Sequence, residues 1–231
     1  MLSTLKRTIH VALRSLRDAV SGERFSRRRT HPERLPYAIS LSQPFTASAT
    51  LEQKKQNLGV AAERIACHVV MPGEVFSFWR AVGNPNTSAF AASRSIRGGV
   101  LQLERGGGLC QASGIIFNLS LIAGLEVLER YNHSVDLYTE ETRFCPLGSD
   151  ATVAYGYRDL RVRNTTGAPI RFFLRVHADR FEARMQSEKP IEPHRIAFER
   201  TDNPDGTLTA VAIDRTTGKR LCTSRYETQK P

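Results

Sequence analysis

Gly106-Gly107-Gly108-Leu109-Cys110-Gln111-Ala112-Ser113 runs without a break into Gly114-Ile115-Ile116-Phe117-Asn118-Leu119-Ser120-Leu121-Ile122-Ala123-Gly124. Ile115, Ile116, Leu119, Ile122 and Ala123 recur at helical spacing, and Gly124 is a natural stop, so a helix headed by Cys110 is expected here. Downstream, Leu125–Tyr131 alternates as a strand ending just before Asn132-His133-Ser134. Ala151–Tyr157 and Asp159–Arg163 read as further strands. Thr165-Thr166-Gly167-Ala168-Pro169 reads as a turn, after which Ile170–Val176 and Phe181–Met185 continue an antiparallel meander. Residues 207–226 read as a hairpin around Thr216-Thr217-Gly218-Lys219. Upstream, residues 33–50 have loop composition with extended pieces around Tyr37–Leu41. Leu51–Val69 has the spacing of a helix, with Leu58, Ala61, Ala62, Ile65 and Ala66 on one face. Met71-Pro72-Gly73-Glu74 breaks it, Val75–Trp79 reads as a buried strand or aromatic plug, and residues 83–99 read as a surface loop. The expected class is α+β, with the Cys-headed helix packed on antiparallel sheet, N-terminal helices and C-terminal hairpins. The expected divisions are 1–32, 33–186 and 187–231: a basic helix with linker, a core domain and a hairpin extension.

A cysteine at a helix start sits where the macrodipole and free amides favour the thiolate, which makes the sulfur a nucleophile. The glycines at 106, 107 and 108 leave those amides accessible and give room for an extended substrate, and the amides together with Gln111 could hold an oxyanion. A base is then required. His133 is the candidate, because a strand returning along the helix brings its far end back toward Cys110. Asp150 is the expected orienting group, with Asp136 as substitute, and Trp79 with Phe78 the expected wall of the site. Taken singly, each has a plain structural alternative: a packing cysteine, a tight helix–sheet approach, an edge histidine, a turn aspartate. Cys67-His68 reads as packing, Cys145 and Cys222 lack charged surroundings, and His177 and His194 show no partner. A Cys110/His133/Cys145 metal site lacks a fourth ligand and any local spacing signature, so no metal and no cofactor is expected.

The 231 residues carry 33 Lys and Arg against 23 Asp and Glu, with 40% hydrophobic positions, a composition that excludes wholesale disorder. Four cysteines without a CxxC exclude a disulfide scaffold, and no apolar run is long enough to span a bilayer. Six of the ten net positive charges fall within residues 1–29. There Leu2, Leu5, Ile9, Leu13, Leu16 and Val20 form one apolar stripe with basic flanks. The expected arrangement packs this stripe on the body of the protein, with Arg27-Arg28-Arg29-Thr30-His31-Pro32 as linker; the alternative lays the helix on an anionic membrane surface. The scarcity of aromatic residues among these arginines argues against nucleic acid. The stripe is interrupted by charge and lacks an export-signal pattern, so the expected location is the cytoplasm, peripheral to the inner face of the membrane.

Read in order, Met71-Pro72-Gly73-Glu74-Val75-Phe76-Ser77-Phe78, Val82-Gly83, Gly106–Gln111, Glu129-Arg130-Tyr131-Asn132-His133-Ser134, Asp150-Ala151-Thr152-Val153 and Asp159-Leu160 with Arg163-Asn164-Thr165 resemble the VanW family over roughly residues 50–176. The resemblance implies an association with vancomycin resistance and the cell wall. It carries over to Cys110, Gln111, His133 and the glycines at 106–108 as recurrent residues. A more distant likeness in the order of elements is to transglutaminase-like and papain-like cysteine enzymes. Together these point to a cysteine-dependent acyl transfer, as amidase, peptidase or transpeptidase, on a peptide or cell-wall precursor. The alternative is a non-catalytic domain that binds such a precursor or serves as a membrane-surface accessory.

Overall fold

The computed structural model describes residues 2–29, 35–97, 100–136 and 145–228, and the fold is α+β. In chain order the elements are α1 (Leu2–Val20), β1 (Arg27–Arg28), β2 (Tyr37–Pro44), α2 (Leu51–Ala66), β3 (His68–Val70), β4 (Val75–Ser77), α3 (Phe78–Val82), β5 (Ala92–Arg97), β6 (Val100–Arg105) and α4 (Leu109–Ile122). They continue with β7 (Glu126–Glu129), β8 (Arg161–Arg163), β9 (Ile170–Val176), β10 (Arg180–Ser187), β11 (Ile196–Asp202), β12 (Thr207–Asp214) and β13 (Lys219–Glu227). Thr30, His31 and Pro32 of the expected linker lie outside the described residues.

Helix α4 is apolar around nearly its whole circumference, and an all-round apolar helix has to be interior. It packs against α2, β2, β10 and β7, with Ile115, Ile116, Phe117 and Leu119 fully buried. Each such side chain contributes about 1.5–3 kcal/mol on leaving water. The antiparallel sheet runs β1-β3-β9-β10-β2. On β9 and β10 the residues Ile170, Phe172, Leu174, Phe181, Ala183 and Met185 point inward at a period of two, toward α2 and α4. Smaller sheets, β4-β8-β7 and the β5–β6 hairpin, flank the two ends of α4, and β11-β12-β13 forms a separate C-terminal sheet.

Four local expectations are corrected. The helix expected over 51–69 ends at Ala66, because His68–Val70 pairs with β1 and β9, where β-branched Val69 and Val70 pack better than in a last helical turn. Within the expected loop 83–99, Ala92–Arg97 is a strand held by the β6 partner. Ala151–Tyr157 is not a strand. Its carbonyls, and that of Ser149 before it, are met by side chains of α4, Ser113 Oγ donating to Ala151 and Asn118 Nδ2 to Ser149 at 2.7 Å. Finally, α1 is docked the opposite way to expectation. Its charged face meets the body through Arg14–Glu129 at 2.6 Å, Asp18–Arg161 at 2.7 Å and Asp18–Arg80 at 3.0 Å, with the His10 and Tyr157 rings 4.5 Å apart. The apolar stripe faces solvent, with Leu5 61%, Ile9 49%, Leu13 47%, Leu16 62% and Val20 76% exposed. The surface beneath α1 is itself ionic, so only the polar face of the helix has complementary groups to meet.

Candidate functional site

The turn that heads α4 is shaped by its neighbours. Asn57, buried on α2, donates from Nδ2 to the carbonyls of Ala91 (3.1 Å) and Gly107 (3.0 Å) and accepts from the Ala91 amide at 2.8 Å. This clamps the glycine turn to the β5–β6 hairpin. A Cβ at Gly107 would sit 2.4 Å from the Ser93 carbonyl oxygen, so only glycine fits. Gly108 caps the helix at φ 95°, a left-handed conformation, with the Lys54 stem against it. The Leu109 and Gln111 amides donate to the Gly106 and Gly108 carbonyls; among the described residues no backbone carbonyl accepts from the Cys110 amide. The Cys110 side chain is partly buried, its Sγ 3.8 Å from the Val153 carbonyl oxygen.

Beyond β7 the chain runs extended through Tyr131, whose carbonyl accepts from the Thr152 amide at 2.7 Å. The segments around 131–133 and 150–152 therefore lie side by side. Asp150 Oδ2 accepts from the His133 backbone amide and lies 2.7 Å from His133 Nδ1. Against an ionised carboxylate Nδ1 carries the proton, which leaves Nε2 free toward the cleft that Cys110 also lines. Burial disfavours the imidazolium, but the hydrogen bonds and charges of Asp150 and Cys110 outweigh it and raise His133 to about 10. Burial would likewise raise the Asp150 carboxyl. The His133 hydrogen bond, the Arg130 and His133 charges and the Tyr226 hydroxyl overrule it and hold the group below its usual range.

Asp150 is held from its far side by residues absent from the sequence-based expectations. The Arg130 side chain is 5% exposed and reaches Asp150 Oδ1 at 3.1 Å, the Asp150 carbonyl at 2.7 Å and the Gly148 carbonyl at 2.8 Å. Its Nη1 donates to Ser224 Oγ, and the guanidinium lies 4.9 Å from the Phe117 ring centre. The Tyr226 hydroxyl donates to Asp150 Oδ1. Arg130 stands three residues before His133, at a strand end where a buried charge needs a partner. Tyr226 and Ser224 are on β13, far along the chain, and no sequence signal links them to Cys110.

Cys110, His133, Asp150, Gln111, Gly106, Gly108 and Trp79 line one cleft of about 990 Å³. Trp79 stands edge-on to Tyr155 at 5.5 Å and donates to the Arg158 carbonyl, while its amide donates to buried Asp159. Phe78, expected beside it, is in the core, and Gly107 lies behind the cleft wall. Asp136, the proposed substitute, lines the cleft, but it is Asp150 that meets the imidazole. Both amide atoms of Gln111, the Thr152 hydroxyl and Gln43 Oε1 are buried without a partner, and all three residues line the cleft. His177 and His194, expected without partners, pair with Glu182 at 2.9 Å and Asp214 at 2.7 Å. Cys145 lines the cleft and Cys222 packs against the core. Among the described residues no three His, Cys, Asp or Glu side chains are grouped to hold a metal ion, and no helix is long and apolar enough to cross a membrane.

No solved structure is significantly similar. A protein named vancomycin B-type resistance protein VanW, from Enterococcus faecalis, is 30% identical over 148 residues, 63% of this chain and 54% of its own length. The protein YoaR of Bacillus subtilis is 36% identical over 120 residues, 52% of this chain and 38% of its own. The chain thus spans about half or less of these relatives. The family profile described as VanW like protein matches residues 53–186, which include the glycine turn, Cys110, His133 and Asp150 but stop short of Tyr226. With more than half its length matched, the chain belongs to the VanW family.

Proposed function

We propose that the cleft performs thiol-dependent acyl transfer on an amide or peptide. The observation that carries this is that Cys110 and a His133–Asp150 pair, 2.7 Å from Nδ1 to Oδ2, line the same cleft, with the Cys110 side chain among the groups that raise the imidazole. The Cys110 sulfur is the nucleophile, and the His133 imidazole takes its proton. The sulfur adds to the amide carbonyl carbon, forming a C–S bond and an oxyanion, to which the Cys110 backbone amide and the Gln111 side-chain nitrogen can donate. His133 gives its Nε2 proton to the leaving nitrogen, the C–N bond breaks, and an acyl thioester remains. Water or a second amine then loses a proton to His133 and attacks the thioester; the C–S bond breaks and the thiolate returns. The product is a carboxylic acid or a new amide. The name of the Enterococcus relative supports placing the substrate among peptides of cell-wall precursors and the role in vancomycin resistance. Iodoacetamide modification, mapped by mass spectrometry, tests this. Cys110 is expected to react with the protein folded, and Asp150→Asn to slow it at least 10-fold. A Cys110 that reacts only after unfolding would leave the cleft as a binding site for the precursor.

A second reading is favoured by α1, whose exposed stripe has Lys6 and Arg17 on one flank, both exposed, with Arg24, Arg27 and Arg28 beyond its end. A contiguous apolar face with basic borders fits an anionic lipid surface. The protein is expected to co-sediment with vesicles of 70% phosphatidylcholine and 30% phosphatidylglycerol, less so in 0.5 M salt, and not after Ile9→Asp with Leu13→Asp. Equal binding to neutral vesicles, or a salt-insensitive dimer in place of vesicle binding, would overturn it.

A further inference from the structure

Lys54 is a half-buried cation of the cleft. It stands on the first turn of α2, its stem lying over Gly108 at the head of the Cys110 helix and its ammonium 5.7 Å from the centre of the Phe45 ring. Its neighbour Lys55, on the same turn, is paired with Glu52 at 2.9 Å. Among the described residues no carboxylate meets Lys54, and burial without one pushes its ammonium below the usual lysine range. A half-buried, unpaired lysine is costly, and helices ordinarily keep such a side chain extended into water.

The other side of the cleft has the converse deficit. Thr152 is 9% exposed with its hydroxyl unpartnered, and Gln111 has a buried carboxamide whose oxygen and nitrogen both lack partners. Both residues line the cleft with Lys54 and Cys110. Of the acids on that lining, Asp150 is committed to His133, Arg130 and Tyr226, Glu104 accepts from Gln102 at 3.0 Å, and Asp136 is likewise engaged elsewhere than with Lys54. Arg94 and Arg105 add exposed positive charge on the same lining. A cation and several neutral hydrogen-bonding groups thus line the cleft of Cys110 with their capacity unused, and a ligand would complete them.

We propose that Lys54 forms an anion subsite that seats a free carboxylate of the acyl donor beside Cys110, while Gln111 and Thr152 hydrogen-bond its uncharged amide portion. Arg94 and Arg105 are exposed to water, so the desolvated charge over Gly108 is that of Lys54; one such charge suits a single negative charge, whereas a dianionic phosphate ordinarily recruits several cations or an arginine fork. The substrate class is therefore a peptide or amide carrying a carboxylate close to the bond that is cleaved. Lys54 acts as a specificity-determining residue; the bond-making groups are those proposed above, and the subsite rests on Cys110 being the reactive thiol.

Two alkylating agents that differ in charge read the subsite directly. Iodoacetate carries the carboxylate and iodoacetamide its neutral isostere; both transfer a carbon to sulfur with loss of iodide. Rates at Cys110 are measured for each by peptide mapping, and the ratio of iodoacetate to iodoacetamide is taken within each variant, so that general changes in reactivity cancel. An ammonium several ångströms from the incoming carboxylate is worth about 5-fold or more in that ratio. The ratio is expected to fall by this factor in Lys54→Met, which keeps the stem over Gly108 and Phe45, and to be retained in Lys54→Arg. Acetate is expected to slow iodoacetate modification of the unaltered protein more than inorganic phosphate does. An unchanged ratio in Lys54→Met, or protection by phosphate in place of acetate, would overturn the carboxylate subsite while leaving a reactive Cys110 standing. A Cys110 inert to both reagents in the folded protein would instead remove the acyl-transfer reading, and the subsite with it.

Discussion

Replacing Asp150 by asparagine isolates the electrostatics of the cleft. The side chain keeps its shape, so the His133 backbone amide retains an acceptor, but the negative charge beside the imidazole is gone. Raising a histidine from 6.5 to about 10 corresponds to about 5 kcal/mol of interaction in favour of the imidazolium, shared between Asp150 and Cys110. Because the folded value lies above the ordinary one, this stabilisation is fully present below pH 6.5 and is lost as the pH rises toward 10. Asp150→Asn is expected to remove about 2–4 kcal/mol of it, leaving burial to disfavour the charged ring. Two measurements check this. The His133 ring resonance, assigned by its absence in His133→Gln, should titrate near 10 in the unaltered protein and fall to 7 or below in Asp150→Asn. Urea unfolding should show stability declining between pH 7 and pH 10 in the former and no such decline in the latter. A His133 that titrates near 6.5 with Asp150 present, or is unmoved by the substitution, would refute the coupling of the two groups.

Tyr226→Phe removes one donor from Asp150 on a strand outside the matched family segment. It is expected to cost about 1–2 kcal/mol by denaturant unfolding. Gly107→Ala would drive a Cβ into the backbone of Ser93 and Arg94 and should cost at least about 2 kcal/mol. Gly59→Ala, in the interior of α2 with open space around it, should stabilise by about 0.5–1 kcal/mol in the same unfolding assay. The Asp18 carboxyl is held below its usual 3.8 against the opposing effect of burial by Arg161 and Arg80. The docking of α1 is therefore present above that value and lost as the pH falls through the lower folded one. Hydrogen exchange in α1, corrected for intrinsic rates, should rise in acid and in Asp18→Asn at neutral pH.

Much of the fold is legible locally. The 106–124 stretch carries its own glycine turn, helix and stop, and β9, β10, β12 and β13 show the period-two pattern and turn residues of antiparallel hairpins. Segments whose state depends on a distant partner were not. Ala92–Arg97 is extended because β6 pairs with it, and Ala151–Tyr157 is irregular because α4 side chains take the carbonyls that a strand neighbour would have used. The α1 stripe was read correctly as a pattern and wrongly as an interface, since periodicity identifies an apolar face without saying what stands opposite it.

The same division runs through the site. Cys110 at a helix start, His133 after a strand and Asp150 further on are residue types whose chemistry can be named from their order alone. Their placement on one cleft, and the hold of Arg130 and of Tyr226, 76 residues on from Asp150, arise from distant chain segments meeting there. Local sequence dictates backbone conformation and the period of burial because both depend on near neighbours. Charge states and partners depend on what else is desolvated at the same point in space, and only the packed structure determines that.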